Sequence, residues 1–169
     1  MEERLRYILT TVNEWLKFAE AKNGGLLVAD IAVLFGTFSL LNESTSQGLP
    51  IHLAIVLVIG SAASSLVSFS PQLGVLSSKS KRRTGKKASL IFYGHIAEYE
   101  PQSYIEALHA ESGTELTDIT PIEVDYAQQI IMNSRIAIRK HLCFKIGLWL
   151  TVSALLLLLV VSLVSIVVV

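Results

Sequence analysis

Three stretches of the chain are almost free of charged side chains and are long enough to cross a membrane as helices. They cover residues 24–42, 51–70 and 146–168. About twenty apolar residues in a helix span the ~30 Å hydrocarbon core, where only an internally hydrogen-bonded backbone is stable. The third stretch has no ionisable side chain, the second has only His52, and the first has only Asp30. The pattern predicts three transmembrane helices.

Residues 1–22 show a different, amphipathic periodicity. Apolar side chains recur there at three- and four-residue steps, and charged side chains occupy the positions between them. The apolar residues are Leu5, Ile8, Leu9, Val12, Leu16 and Ala19. This pattern predicts an amphipathic helix that packs on the cytosolic part of the protein. A helix that lies on the membrane surface or pairs with another subunit is the alternative. Because this polar helix precedes the first apolar stretch, no signal peptide is expected.

The segment between the second and third spans, residues 71–145, is polar and is predicted to fold as a small cytosolic region. Residues 88–99 are rich in β-forming and aromatic side chains, so they fit a short strand, although a buried helix fits them too. Pro101 is expected to begin a helix of about three turns that Gly113 closes.

A second helix start follows at Thr120. Pro121 suits the first turn, and Glu123 completes a capping box with Thr120. No further proline or glycine occurs before Gly147. We therefore expect one long helix that runs from the cytosolic region directly into the third span.

The composition agrees with a membrane protein. Hydrophobic residues make up 51% of the 169 residues and charged residues only 17%, whereas soluble domains contain about 25% charged residues. The predicted fold class is mainly α, with three transmembrane helices, an N-terminal amphipathic helix and a small cytosolic segment of α or α+β structure.

The positive charges predict the orientation of these spans. Of the 14 Lys and Arg residues, four precede the first span and ten lie between the second and third. The 43–49 loop and the C-terminal end contain none. Under the positive-inside rule the N-terminus and the central region are cytoplasmic, and the C-terminus lies outside.

Six cations are concentrated in nine positions, at Lys79, Lys81, Arg82, Arg83, Lys86 and Lys87. This basic cluster follows the second span, where residues that set membrane orientation and attract anionic lipid are expected. Binding of a soluble anionic ligand is the alternative interpretation. A nucleic-acid role is not expected, because no aromatic side chain interrupts the cluster.

No catalytic or metal-binding motif is present. The sequence lacks HExxH, GxSxG, a dinucleotide fingerprint and paired cysteines, since Cys143 is the single cysteine. Its four histidines have no spacing typical of metal ligands. These observations predict a protein that is not an enzyme and holds no metal.

Two features of the spans indicate interactions inside the membrane. Asp30 is an ionisable group within an apolar stretch, so it requires a structural partner, a position near the interface, or a place in a pore or gate. Gly60, Ser64 and Ser68 place small residues at four-residue steps, which allow close helix contact. The protein is therefore expected to form a homo-oligomer.

The order of these elements resembles a known family. An amphipathic helix ending in FAEAK, two adjacent spans, the run FYGHIAEYEPQSYIEAL and the helix YAQQIIMNSRIAIRKH before a last span are similar to the small transmembrane effectors of the pyrimidine-cyclase anti-phage (Pycsar) systems. The most specific matching positions are Phe92, Gly94, His95, Ile96, Ala97, Tyr104, Gln129, Ser134, Ala137 and Lys140.

The resemblance implies a function. A partner cyclase makes cyclic CMP or cyclic UMP during phage infection. The effector binds this messenger and impairs the bacterial inner membrane, so that the infected cell dies before phage are released. No other cofactor is expected, and the implied partners are the cyclic nucleotide and membrane lipid, without nucleic acid.

A cyclic nucleotide carries one negative phosphate, which a guanidinium or ammonium group can neutralise. Arg135, Arg139 and Lys140 on the long helix are therefore expected to bind the ligand, together with His95 in the matched run. The three cations can instead extend to the membrane interface. His95 can instead be a hydrogen-bonded core histidine.

Two other functions fit the sequence. One is a constitutive channel or transporter subunit, which Asp30 favours. The other is a membrane scaffold that recruits a protein partner, which the amphipathic N-terminal helix favours.

Overall fold

All regular elements in the described part of the chain are α-helices. A computed structural model describes residues 1–43, 48–70, 89–113 and 119–168. Its helices are α1 (Glu2–Glu43), α2 (Gly48–Phe69), α3 (Tyr93–Ile96), α4 (Pro101–Ser112) and α5 (Pro121–Val168). The whole basic cluster and residues 44–47 of the predicted 43–49 loop lie outside the described residues.

Helix α1 joins the predicted amphipathic helix and the predicted first span without a break. It runs for 42 residues, and Gly24 and Gly25 within it keep ordinary negative φ angles. A glycine pair weakens a helix but does not force it to end unless the backbone changes conformation. The two predicted segments are therefore one helix.

The predicted long helix is confirmed as α5, which has 48 residues. The backbone N–H of Thr120 donates to the carboxylate of Glu123 over 3.1 Å. This bond satisfies a free donor at the helix start, as expected in a capping box. Helix α5 then continues through the last apolar stretch.

The two short helices lie in the region between the second and third spans. Helix α4 begins at Pro101 and is followed by Gly113 in the left-handed conformation, with φ of 63°, as the sequence predicts. In the preceding run, Tyr93–Ile96 form the single-turn helix α3. Residues 89–99 thus contain a helical turn rather than a strand.

Helices α1, α2 and α5 are each long and apolar enough to span a membrane. Large apolar side chains along them are exposed, among them Val28, Phe35, Val56 and Leu156. Such an outward apolar surface suits contact with lipid chains. The prediction of a mainly α protein with three such helices is confirmed, whereas the orientation in the membrane and the limits of the cytosolic region stay predictions.

The chain forms two compact units, and both α1 and α5 contribute to each of them. The first unit comprises Met1–Phe18 and Pro71–Arg139, and the second comprises Ala19–Ser70 and Lys140–Val169. The first unit thus contains α3 and α4, and the second contains α2 and the apolar stretches of α1 and α5.

The first unit has its own apolar core, to which α1, α3, α4 and α5 contribute together with the loop before α3. Its buried residues are Leu5, Ile8, Val12, Leu90, Ile96, Tyr104, Ile105, Leu108, Ala127, Ile130 and Ile131. Leu5, Ile8 and Val12 form the apolar stripe of the amphipathic helix, so this stripe packs on the protein itself. The hydroxyl of Tyr104 donates to the carbonyl of Leu90 over 2.6 Å, and burial raises the pKa of Tyr104.

Candidate functional site

His95 lies in α3 and is oriented by the loop before it. The backbone N–H of Ser89 donates to its Nδ1 over 3.0 Å. Because Nδ1 accepts this bond, the hydrogen of the neutral ring is on Nε2, which is then a donor. The side chain is half-buried. This histidine is thus held in one tautomer at the edge of the first unit.

A series of contacts between aromatic rings leads from His95 to helix α1. The Phe92 ring meets the His95 ring edge-on, with centroids 5.3 Å apart, and also contacts Tyr93 at 4.7 Å. Tyr93 in turn contacts Trp15 of α1 at 5.7 Å. Phe92 and Trp15 are exposed despite these contacts. The first unit therefore presents a partly exposed aromatic surface, formed by Trp15, Phe92, Tyr93 and His95.

Gly94 allows Phe92 to occupy its position. A Cβ atom added to Gly94 would lie 2.5 Å from Cε1 of Phe92, well inside van der Waals contact. The Phe92 ring can lie over the backbone at this point only because no side chain is present. Packing of the Phe92 ring therefore explains why glycine stands at position 94 in the run Phe-Tyr-Gly-His.

Arg135 of α5 holds the chain that leaves α3. Its Nε donates to the carbonyl of Ala97 over 3.0 Å, and Nη2 donates to the carbonyl of Tyr99 over 3.3 Å. These bonds satisfy carbonyl groups that a helix end leaves without partners. Arg135 thus positions the segment that contains His95.

Arg139 follows Arg135 by one helical turn, so the two side chains share a face of α5. Arg139 is half-buried. Its guanidinium makes no hydrogen bond or salt bridge with any other residue in the described ranges. Of the predicted ligand cations, Arg139 is the one without such a partner.

Lys140 belongs to the second unit and is bound there by several groups. Its Nζ lies 3.1 Å from Oε1 of Glu20 and donates to the carbonyl of Ser68 over 2.8 Å. The ring centroid of Phe69 is 5.8 Å from the same ammonium group. Lys140 therefore joins α1, α2 and α5 within this unit.

Asp30 is fully buried in the second unit, between hydroxyl groups from the other two long helices. Ser61 of α2 donates to Oδ2 over 2.7 Å, and Thr151 of α5 donates to Oδ1 over 2.6 Å. Gly147 permits this close approach, because a Cβ atom there would lie 3.1 Å from Oγ of Ser61. Asp30 thus has structural partners, which is one of the possibilities that the sequence left open for it.

The predicted site residues therefore fall into two places. His95 lies within residues 89–99 of the first unit, and Arg135 binds carbonyls of the same segment. Arg139 follows one turn further along α5. Lys140 and Asp30 lie in the second unit. The roles of Trp15, Ser61 and Thr151 are not evident from any local pattern in the sequence. Among the described residues, no group of three potential metal ligands occurs.

Comparison with known proteins identifies relatives. Residues 4–168 match the family described as "PycTM: Pycsar effector protein domain". The chain is also 28% identical over 141 residues to the "Pycsar effector protein PtPycTM" of Propioniciclava tarda, an alignment that covers 80% of this chain and 65% of the relative. No solved structure matches. The resemblance drawn from the sequence is thereby confirmed.

Proposed function

Because the chain belongs to the PycTM family of Pycsar effector proteins, we propose that it binds cyclic CMP or cyclic UMP and impairs the inner membrane. Membership of this family implies an effector role in anti-phage defence and activation by a cyclic pyrimidine. We further propose the specific nucleotide, its binding site and the kind of damage to the membrane. In it, the first unit is the cytosolic sensor and the second unit spans the membrane, within a homo-oligomer.

The observation that carries the proposal is the continuity of α5. One helix from Pro121 to Val168 contains the cations of the first unit and the apolar stretch of the second. A ligand shifts an equilibrium only by the difference between its affinities for the two states, and such couplings amount to about 1–3 kcal/mol. Helix α5 offers a covalent route by which a change of this size can reach the span.

Within the first unit, the residues divide into contact and positioning roles. Arg139 is the proposed phosphate contact, since a charge-assisted bond needs a cation that is not already paired. Arg135 is a positioning residue, because it already binds the carbonyls of Ala97 and Tyr99. The Nε2 donor of His95 can bind a carbonyl or phosphate oxygen of the nucleotide.

A nucleotide site also needs a surface on which the base can stack, and the aromatic surface supplies it. Stacking of a base on an aromatic side chain contributes about 1–3 kcal/mol. The exposed faces of Phe92 and Trp15 lie in the same set of ring contacts as His95. A pyrimidine base stacked there would lie beside the histidine donor.

Lys140 is not a ligand residue in this proposal, in contrast to the sequence-based expectation. A phosphate that recruited Lys140 would compete with Glu20 and the carbonyl of Ser68 for the ammonium group of a side chain that is only 11% exposed. Loss of the charged donor to that carbonyl would oppose binding.

Binding is tested by calorimetry on the full chain in detergent. Cyclic CMP and cyclic UMP are titrated separately, with cyclic AMP and cyclic GMP as purine controls. Saturable binding of one pyrimidine, with weaker or no binding of the purines, is expected. Equal binding of all four nucleotides, or of none, would contradict the proposal.

Activity is tested by membrane potential in cells that express the effector with a pyrimidine cyclase. Depolarisation is expected only when the cyclase is active, and a cyclase with an inactivated catalytic site is the matched control. Depolarisation without any cyclase would favour the constitutive channel instead. A response in neither case, at normal abundance in the membrane, would exclude both.

A further inference from the structure

The second unit has a row of buried polar side chains where its three long helices face one another. Seven polar side chains lie there, each at most 5% exposed. We call them the polar seam, and they are Asn23, Asp30, Thr37, Ser61, Ser65, Ser68 and Thr151. Asn23 and Asp30 are seven residues apart on α1, and the three serines of α2 follow steps of four and three. Heptad spacing places such residues along one helix face.

The outward surfaces of the same helices are apolar. Phe35 on α1, Val56 on α2 and Leu156 on α5 are exposed and apolar. Lipid chains accept such side chains without cost, whereas polar side chains in lipid are unfavourable. The unit is therefore apolar outside and partly polar inside, where the polar side chains lie beside a small apolar cluster of Ala54, Val58 and Ala154. Polar groups that face the inside of a membrane bundle are found where helices surround a path for ions or water.

Only part of the seam is satisfied by hydrogen bonds. Asp30 accepts from Ser61 and Thr151, and the oxygens of these two hydroxyls lie 2.8 Å apart. The amide nitrogen of Asn23 donates to the carbonyls of Ala19 and Lys140. These bonds join all three helices at Asp30 and join α1 to α5 at Asn23.

Three other seam atoms are buried without a hydrogen-bond partner among the described residues. They are Oδ1 of Asn23, Oγ of Ser65 and Oγ of Ser68. Buried polar atoms are nearly always paired, since an unpaired one loses its bonds to water without replacement. Alanine at the two serines would pack the same space without this loss. The seam is thus poorly suited to remaining dry in every state of the protein.

Asp30 limits what a second state can be. If α1 rotates or slides, its carboxylate leaves Ser61 and Thr151 and must enter either lipid or water. A carboxylate facing lipid is strongly unfavourable, so water is the remaining environment. The unpaired oxygens of Asn23, Ser65 and Ser68 would be hydrated by the same change.

We propose that the polar seam becomes a water-filled, cation-selective path when the protein is active. Asp30 gives the path a negative charge, and the hydroxyl and amide oxygens replace part of the hydration shell of a monovalent cation. Acidic side chains that line a pore favour cations over anions. The trigger rests on the proposed function, whereas the path itself does not.

The test opens the seam without a nucleotide. Ser65→Asn places a larger polar side chain among the buried groups and should force the seam to hydrate. In liposomes with a potassium chloride gradient, this variant is expected to conduct and to shift the reversal potential toward that of potassium. Ala63→Asn is the matched control on the exposed face of α2, and it should not leak. Ser68→Asn repeats the test if Ser65→Asn fails to insert.

The selectivity is tested by adding Asp30→Asn to Ser65→Asn. The double variant should still conduct, with its reversal potential moved toward zero. An inserted Ser65→Asn protein that does not conduct, an equal leak from Ala63→Asn, or selectivity unchanged by Asp30→Asn would each overturn the inference.

A complementary conduction experiment uses Ser65→Val, which fills the seam with an apolar side chain. This variant should lose conduction in the presence of cyclic CMP or cyclic UMP, whereas Ala63→Val should retain it. If the asparagine variant conducts selectively but wild type responds to neither nucleotide, the proposed trigger fails and the path stands. If wild type and Ser65→Val conduct equally with nucleotide, the trigger stands and the path is wrong.

Discussion

The ammonium group of Lys140 and the carboxylate of Glu20 form a salt bridge of 3.1 Å in which the two side chains are 11% and 45% exposed. The lysine is therefore the buried partner, and its second bond, to the carbonyl of Ser68, joins α5 to the end of α2. A cation held in this way is part of the framework of the second unit.

The first prediction follows from this role of Lys140. Lys140→Met should lower the free energy of unfolding by about 1–3 kcal/mol, because the Ser68 carbonyl loses a charged donor. Nucleotide affinity should stay unchanged. Thermal unfolding in detergent and calorimetry measure the two effects, with exposed Lys145→Met as the control. Loss of binding at unchanged stability would assign Lys140 to the ligand site instead.

Arg139 should behave in the opposite way. Arg139→Gln is expected to weaken cyclic nucleotide binding roughly tenfold to a hundredfold, since a charge-assisted hydrogen bond contributes about 1.5–3 kcal/mol. The unfolding temperature should change little, because the guanidinium has no bond to other described residues. Arg6→Gln, at an exposed i,i+4 pair with Glu2, is the control. Unchanged affinity in Arg139→Gln would remove Arg139 from the site.

Gly94 provides a test of the aromatic surface. Gly94→Ala would place a methyl group 2.5 Å from Phe92, so the ring must move, which disturbs its edge-on contact with His95. Nucleotide binding should weaken, by up to the roughly 1–3 kcal/mol of one stacking contact. Gly25→Ala is the contrasting variant, because nothing lies within 4 Å of the added atom. It should stabilise α1 by up to about 1 kcal/mol without affecting binding.

The continuity of α5 is tested by Ile138→Pro. Proline inside a helix removes a backbone donor and costs about 3 kcal/mol or more. Ile138 is exposed, so the core loses little else. The variant should still bind the nucleotide but no longer depolarise cells with an active cyclase, while Ile138→Ala should do both. Full depolarisation by the proline variant at matched abundance would refute the route through α5.

The basic cluster and the orientation of the spans are tested together. In a Cys143→Ser background, single cysteines at Ser46 and Gly85 should be labelled from opposite sides of the membrane. The main-chain carbonyl of Cys143, which accepts from Ser64, is retained in this background. Neutralising Lys79, Lys81, Arg82 and Arg83 together should reduce correct insertion. Labelling of both cysteines in intact spheroplasts would contradict the predicted orientation.

Local patterns in the sequence predicted the helices well. The start of α5 depends on residues within one turn of each other, Thr120 and Glu123, and the end of α4 depends on the adjacent Gly113. The apolar stretches likewise needed only length and the absence of charge. For residues 88–99 the pattern left strand and helix open, and the structure has a helical turn at Tyr93–Ile96. The joining of the two predicted N-terminal segments into the single helix α1 was not predicted.

The sequence by itself thus determined the three apolar helices, the capped start of α5 and the resemblance to the Pycsar effectors, because each depends on neighbouring residues or on order along the chain. The tertiary structure alone decided which side chains meet. Asp30 finds Ser61 and Thr151, 31 and 121 positions away, and Lys140 pairs with Glu20 rather than remaining available to a ligand. Such contacts depend on the rotation and register of packed helices, which short-range periodicity does not specify.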